Sequence, residues 1–266
     1  MSTAERAYPD CLSVVVPVYN EETSLAQVVR KLLALPYLLE VVIVDDCSTD
    51  QSAEIARSLA QVDPRVRFAQ QKKNSGKTAA LRVGFAMTRG DIVIVQDADL
   101  EYDPEEIPLV IRPILEGHAD VVFGSRFLVR RATRVLYFYH YVANKFLTFT
   151  SNVFTNLNMT DIETGYKAFR GDIIRNMVIV SNGFGFEVEA TAKVAKLGCP
   201  VYEVPISYYG RTYEEGKKIG VKDGLLAVWL IFRFNLFCGL SSAYRKLPDP
   251  RVTRPQAELK SSEADV

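Results

Sequence analysis

The chain has 266 residues, 48% apolar and 24% charged, with 32 lysines and arginines set against 32 acids. That is an ordinary globular composition, and its balanced charge excludes a bulk nucleic-acid binder, which carries a basic surplus. The length admits one α/β domain of about 200 to 250 residues with appendages.

Residues 1–10 contain no apolar run of signal-peptide type and read as an N-terminal extension. From there, short β-branched runs alternate with helix-period segments, the pattern of βαβ units and a mainly parallel sheet flanked by helices. Leu12 to Val18 is the first predicted strand, and Leu25, Val28, Val29, Leu32 and Leu33 mark one face of a helix after it. Val41 to Val44 is the second strand, with Ser48, Thr49 and Asp50 offering cap chemistry for a helix through Ile55 and Leu59. Val66 to Phe68 is a third strand, and a helix from Lys77 to Met87 should end at a Gly90 C-cap before Ile92 to Val95. Pro104 suits the first turn of the next helix, which Pro113 should kink, and Val121 to Phe123 follows as a strand.

After Arg126 the texture changes. No acid occurs before Asp161, while Arg126, Arg130, Arg131, Arg134 and Lys145 accumulate among aromatics. Tyr137 to Phe154 reads as a helix too aromatic for full solvation; it is either an acceptor- or membrane-facing segment (126–157) or a core helix or protein interface. Lys167 to Arg170 is a further strand, Phe186 to Lys196 a helix ending at Gly198, and Val201 to Tyr208 a strand. A basic loop, Arg211 to Lys222, precedes an apolar helix spanning 225–246. Leu225 to Leu240 is interrupted by Arg233 and Asn235 and falls short of the ~20 apolar residues of a membrane span. It suits an interfacial helix or a helix packed on a membrane subunit. Residues 247–266, rich in proline and polar groups, are expected to be disordered.

The four cysteines, Cys11, Cys47, Cys199 and Cys238, have no zinc-type spacing and read as small buried apolar residues in a reducing compartment. Two histidines, His118 and His140, leave carboxylates, arginines and backbone groups as the chemical actors. In open α/β sheets ligands bind beyond the carboxyl ends of the strands. Three polar clusters fall there: Pro17 to Glu22, Asp45-Asp46, and Asp97-Ala98-Asp99-Leu100-Glu101. Helix capping is an alternative for each. For the last, two carboxylates one residue apart with a third at Glu101 would repel one another unless a cation held them. A hard ion, Mg²⁺ or Mn²⁺, suits those oxygens and could bridge a diphosphate. Gly76-Lys77-Thr78 ends like a P-loop, but Gln71 stands where its first glycine is required, and no dinucleotide fingerprint follows the first strand.

In order and spacing these clusters resemble family 2 glycosyltransferases of the GT-A fold, in particular the polyprenyl-phosphate (dolichyl-phosphate) mannose synthase-like branch. The pieces are Val16 to Glu22, Val44 to Asp50, Asn74 to Lys77, Gln96 to Glu101, Gly124-Ser125-Arg126, Thr164 to Lys167, Phe186-Glu187, and Pro205-Ile206-Ser207 leading to Arg211 and Gly216-Lys217-Lys218. The resemblance implies a catalytic domain over residues 11–224, with Pro17, Tyr19, Glu21 and Asp46 lining the nucleoside pocket and Asp45 nearby. It implies that Lys77, Asp97, Lys217 and Lys218 belong to the nucleotide-sugar site and that Asp97, Asp99 and Glu101 surround the metal. Asp99, Arg126 and Arg211 are then the catalytic candidates.

Such enzymes invert the anomeric centre. A phosphate monoester, with a second pKa of about 6, already arrives ionised and needs cations more than a base. Arg126, Arg130, Arg131, Arg134 and Arg211 are the candidates to hold it. The expectation is hexose transfer from GDP-mannose or UDP-glucose to a polyprenyl phosphate at the cytoplasmic face of a membrane, with a soluble saccharide or protein acceptor, or a silent nucleotide-sugar-binding subunit, as alternatives.

Overall fold

The computed structural model describes residues 9–128, 137–210 and 221–248. Seven strands, β1 Leu12–Val18, β2 Leu38–Asp45, β3 Val66–Gln70, β4 Ile92–Val95, β5 Val121–Ser125, β6 Lys167–Arg170 and β7 Val201–Pro205, form one sheet. Their order is β3-β2-β1-β4-β6-β5-β7, parallel except for β6, which runs antiparallel to both β4 and β5.

Helices cover both faces: α1 Leu25–Leu33, α2 Ser52–Val62, α3 Lys77–Met87, α4 Ile107–Leu115, α5 Phe138–Thr155, α6 Gly171–Asn176, α7 Phe186–Leu197, α8 Val221–Leu236 and α9 Leu240–Ala243. Every residue of β1 is buried, which is why its sequence is a continuous apolar run rather than an alternating one. The alternation reappears in space. Val14, Val16 and Val18 pack with Leu25, Val28, Ile107 and Ile111, whereas Val15 joins Leu81, Phe85, Phe186 and Ile231 on the opposite face.

The predicted bounds of β1 and α3 coincide with the observed ones, and Gly198 caps α7 in the left-handed conformation. Gly90 is not a C-cap. α3 ends at an extended Thr88, and Gly90 lies where a Cβ would come 2.5 Å from the Cys11 carbonyl oxygen, so close strand packing requires the glycine. The helix predicted over 225–246 is two helices: α8 starts at Val221, and Gly239 separates it from α9. Pro113 falls in the last turn of α4. Of the cysteines only Cys11 is buried, the other three being partly exposed. The segment expected to be disordered lies almost wholly outside the described residues.

Candidate active site

The loops leaving β1, β2 and β4 each turn through a left-handed residue that is not glycine: Asn20 (φ 54°), Cys47 (φ 61°) and Leu100 (φ 61°). Asparagine tolerates that region, but for cysteine and leucine it is strained, and such strain concentrates at functional sites. The first two loops are stapled together. Asn20 N–H donates to Ser48 Oγ at 3.0 Å, Thr49 N–H to Asn20 Oδ1 at 2.8 Å, and Glu21 N–H to Ser52 Oγ at 2.8 Å. The third closes on itself, Glu101 N–H donating to Asp99 Oδ1 at 3.1 Å.

These loops open onto a cleft of about 390 Å³, lined among others by Pro17, Tyr19, Glu21, Asp46, Lys77, Asp97, Asp99, Glu101 and Arg126. Nine of the predicted site residues therefore share one wall system. Asp45 does not line it: it is fully buried, and its Oδ2 accepts from Ser48 N–H at 3.1 Å and Gln70 Nε2 at 3.2 Å. Asp46 spends both oxygens on the backbone before α3, accepting from Ser75 N–H at 2.8 Å and Gly76 N–H at 2.6 Å. Gly76 has φ +87°, and a Cβ there would meet Gly183 Cα at 2.9 Å, so the turn admits only glycine.

α3 starts at Lys77, whose ammonium is buried between two acids: 2.8 Å from Asp97 Oδ1 and 3.2 Å from Glu187 Oε1. Burial works against its charge, but Asp97 and Glu187 outweigh it and carry the lysine above its usual range. The cation that the Asp97–Asp99 spacing calls for is thus partly supplied by the chain. Across the cleft Arg126 is gripped by Asp161, with two contacts of 2.7 Å, and lies 5.2 Å from the centre of the Tyr208 ring. Burial opposes both charges of this pair, and their mutual attraction wins, raising Arg126 and lowering Asp161.

Sequence reasoning missed Tyr102, Glu163 and Tyr208, which line the cleft, and gave no role to Gly165 and Glu187, which line it too and belong to motifs it had marked. Burial, reinforced by Glu187, pushes Glu163 up to about 7, and burial lowers the neighbouring Lys167, whose Nζ donates to the Ile162 and Thr164 carbonyls. Tyr102 stacks on Tyr166 at 4.9 Å, and burial pushes its hydroxyl up to about 12. The Thr164–Lys167 and Phe186–Glu187 motifs were the signals that pointed here; Glu163 itself carried none. Neither His118 nor His140 lines the cleft.

The metal trio is only partly assembled. Glu101 accepts from Tyr208 OH at 2.9 Å, and among the described residues no three acids, cysteines or histidines converge as a metal cage. Glu101, which lines the same cleft, also anchors the segment after β7, a role shared by its carbonyl, which accepts from Tyr209 N–H at 2.9 Å. Asp97 and Asp99 remain as two hard oxygen donors in one cleft. That set fits Mg²⁺ or Mn²⁺ held jointly by one or two carboxylates and a ligand's phosphates. Arg130, Arg131, Arg134, Arg211, Lys217 and Lys218 lie outside the described residues.

Comparison with known proteins agrees with this geometry. A family model for glycosyl transferase family 2 matches residues 13–178. An undecaprenyl-phosphate mannosyltransferase of Micrococcus luteus is 32% identical over 216 residues, covering 77% of this chain and 86% of that one. An undecaprenyl-phosphate 4-deoxy-4-formamido-L-arabinose transferase of Pseudomonas aeruginosa is 43% identical over 127 residues, 46% of this chain and 37% of its own length. Among solved structures, glucosyl-3-phosphoglycerate synthase of Mycobacterium tuberculosis, crystallised with Mn²⁺ and UDP-glucose, superposes with a TM-score of 0.66 at 18% identity, covering 85% of this chain and 79% of that one, and shows the shared GT-A fold. With more than half its length under the family model and a relative above 30% identity across three-quarters of it, the chain belongs to glycosyltransferase family 2.

Proposed function

We propose that this chain transfers a hexose, mannose or glucose, from a nucleotide sugar such as GDP-mannose or UDP-glucose to a polyprenyl phosphate, with inversion, at the cytoplasmic surface of a membrane. The observation that carries the reading is the single cleft in which Asp97 and Asp99 at the end of β4 share walls with Arg126 at the end of β5. The mannosyltransferase relative supports the acceptor class.

In this reaction an oxygen of the acceptor phosphate attacks the anomeric carbon as the bond to the donor diphosphate breaks, and the nucleoside diphosphate leaves with the bonding electrons. Mg²⁺ or Mn²⁺, held by Asp97 and Asp99, would neutralise charge on that diphosphate. Lys77 orients Asp97. Arg126, locked by Asp161 and flanked by Tyr208, presents a fixed cation to an incoming phosphate and loses little freedom in binding it.

The surface supports a lipid-borne acceptor. On α5, Phe138, Val142, Phe146, Phe149 and Val153 form an exposed stripe at helical spacing; on α8, Leu225, Trp229, Phe232 and Leu236 form another. Phe154 and Phe232 join the two helices at 5.0 Å. α5 contains no acid, and no acid follows Asp223 in α8 or α9. No helix among the described residues is long and apolar enough to cross a membrane, so this face would lie on a bilayer rather than in it.

Glu163, titrating near neutrality in the cleft, favours a second reading in which it takes the proton of a saccharide hydroxyl acceptor. Incubation with labelled GDP-mannose or UDP-glucose and either undecaprenyl phosphate or soluble saccharides separates them. Label in the lipid phase is expected, and label only in saccharide overturns the first reading.

A further inference from the structure

Among the described residues four buried side-chain oxygens have no hydrogen-bond partner, and two of them, Glu163 Oε1 and Glu187 Oε2, belong to residues lining this cleft. Glu187 is only 5% exposed. Native structures rarely leave such acceptors unpaired, because each forfeits the hydrogen bonds it had in water. Two together in a ligand cleft call for a ligand that donates.

Their position identifies the part of the ligand. The sheet sets the ends of β2, β1, β4, β6 and β5 side by side. Asp46, then Pro17 and Tyr19, then Asp97 and Asp99, then Glu163 and Gly165 ahead of β6, then Arg126 after β5 follow one another across the cleft. A nucleotide sugar is itself linear: nucleoside, diphosphate, sugar. With its nucleoside at Tyr19 and its diphosphate at Asp97 and Asp99, the sugar reaches Glu163 and Glu187. Lys77 fixes the spacing, since its one ammonium touches both Asp97 and Glu187.

We infer that Glu163 and Glu187 are the acceptors for hydroxyls of the donor hexose, and so determine which sugar is bound. The assignment rests on the nucleotide-sugar reading above. It is electrostatically selective. A hexose is uncharged and rich in O–H donors, whereas a phosphate brought against two carboxylates is repelled. The acceptor phosphate is thereby confined to the Arg126 side, and donor sugar and acceptor cannot exchange places. The raised pKa of Glu163 fits an oxygen that lacks donors until a ligand arrives.

The experiment measures binding of GDP, UDP, GDP-mannose, UDP-glucose and their single-deoxy hexose analogues, with Mn²⁺, to the full chain and to E163Q and E187Q. Each variant is expected to lose roughly 10- to 100-fold in affinity for the preferred nucleotide sugar, the worth of a hydrogen bond to a charged group, with the nucleoside diphosphate held within about twofold. One deoxy analogue should bind wild type and variant alike. Equal losses for nucleotide sugar and nucleoside diphosphate overturn the assignment. So does unchanged donor affinity with a lowered kcat, which moves Glu163 to the acceptor side. A wild-type chain that binds no nucleoside diphosphate overturns the donor reading itself. E187Q removes a partner of Lys77, so melting temperatures are read alongside; E163Q breaks no ion pair among the described residues and keeps the test decisive.

Discussion

The ammonium of Lys77 lies 2.8 Å from one oxygen of Asp97 and 3.0 Å from the other, so a side chain of the protein holds the carboxylate that a divalent ion would share. Both partners are more than four-fifths buried. Removing the cation leaves Asp97 without its ion-pair partner and Glu187 with only the more remote Lys167 to balance it, in a poorly solvated site. K77M should therefore lose about 3 kcal/mol of stability without metal, the usual cost of breaking a buried pair. Mn²⁺ should restore more stability to the variant than it adds to wild type, because the ion no longer competes with a lysine. Melting curves with and without Mn²⁺ and with EDTA check this; a variant indifferent to Mn²⁺ would remove Asp97 from the metal site.

Gly165 makes a separate prediction. A Cβ there would stand 2.5 Å from Asp97 Oδ2 and 3.1 Å from Tyr102 Cε2. The carboxylate can swing away at little cost to the fold, but not without leaving its position. G165A is expected to melt within a few degrees of wild type and to lose roughly 100-fold in kcat, the scale of an ångström's misplacement in a site. A normal kcat would show that the position of Asp97 is not critical.

The Glu163 carboxyl faces Glu187 from α7, Lys167 from β6, and Arg126 and Asp161 from the loops beside it, and burial with Glu187 pushes it up to about 7 from an ordinary 4.5. The folded state thus binds the Glu163 proton more tightly than the unfolded chain. Its contribution is fully present below about pH 4.5 and is lost as pH rises through about 7. Glutamine cannot ionise. The stability of E163Q relative to wild type should therefore increase between about pH 4.5 and 8 and level off above. A difference that is flat over that window would mean that Glu163 is solvated like a surface acid.

Much of this site was legible because strand ends announce themselves. The β-branched runs fixed β1, β2 and β4, and the polar residues just beyond them, Tyr19, Asp46, Asp97 and Asp99, had to lie at one edge of a parallel sheet. Less visible was what the antiparallel β6 does. Inserted between β4 and β5, it brings Glu163 and Gly165 against a loop more than sixty residues earlier. An acid in an irregular segment looks solvated in sequence, and only tertiary packing buries it. Gly90 was misread for a related reason: a glycine serves close packing as well as helix ends.

The exposed stripes on α5 and α8 give the last prediction. Phe149 is 67% and Trp229 56% exposed, so neither holds the core together, yet Phe149 lies in the acid-free α5 and Trp229 in the acid-free part of α8 after Asp223, and the two helices pack on one another through Phe154 and Phe232. Each aromatic that enters an apolar phase is worth about 1.5 to 3 kcal/mol, which is roughly 10- to 100-fold in partitioning. F149D and W229D should each keep the wild-type melting temperature and donor affinity while losing co-sedimentation with vesicles containing anionic lipid, and the double variant should lose it almost completely. Raising salt should weaken wild-type binding only in part, since the apolar share is not screened. Transfer to undecaprenyl phosphate in vesicles should fall with sedimentation, whereas transfer to the same acceptor in detergent should not. Unchanged sedimentation, or a wild-type dimer that the variants convert to monomer, would instead make this face a protein interface.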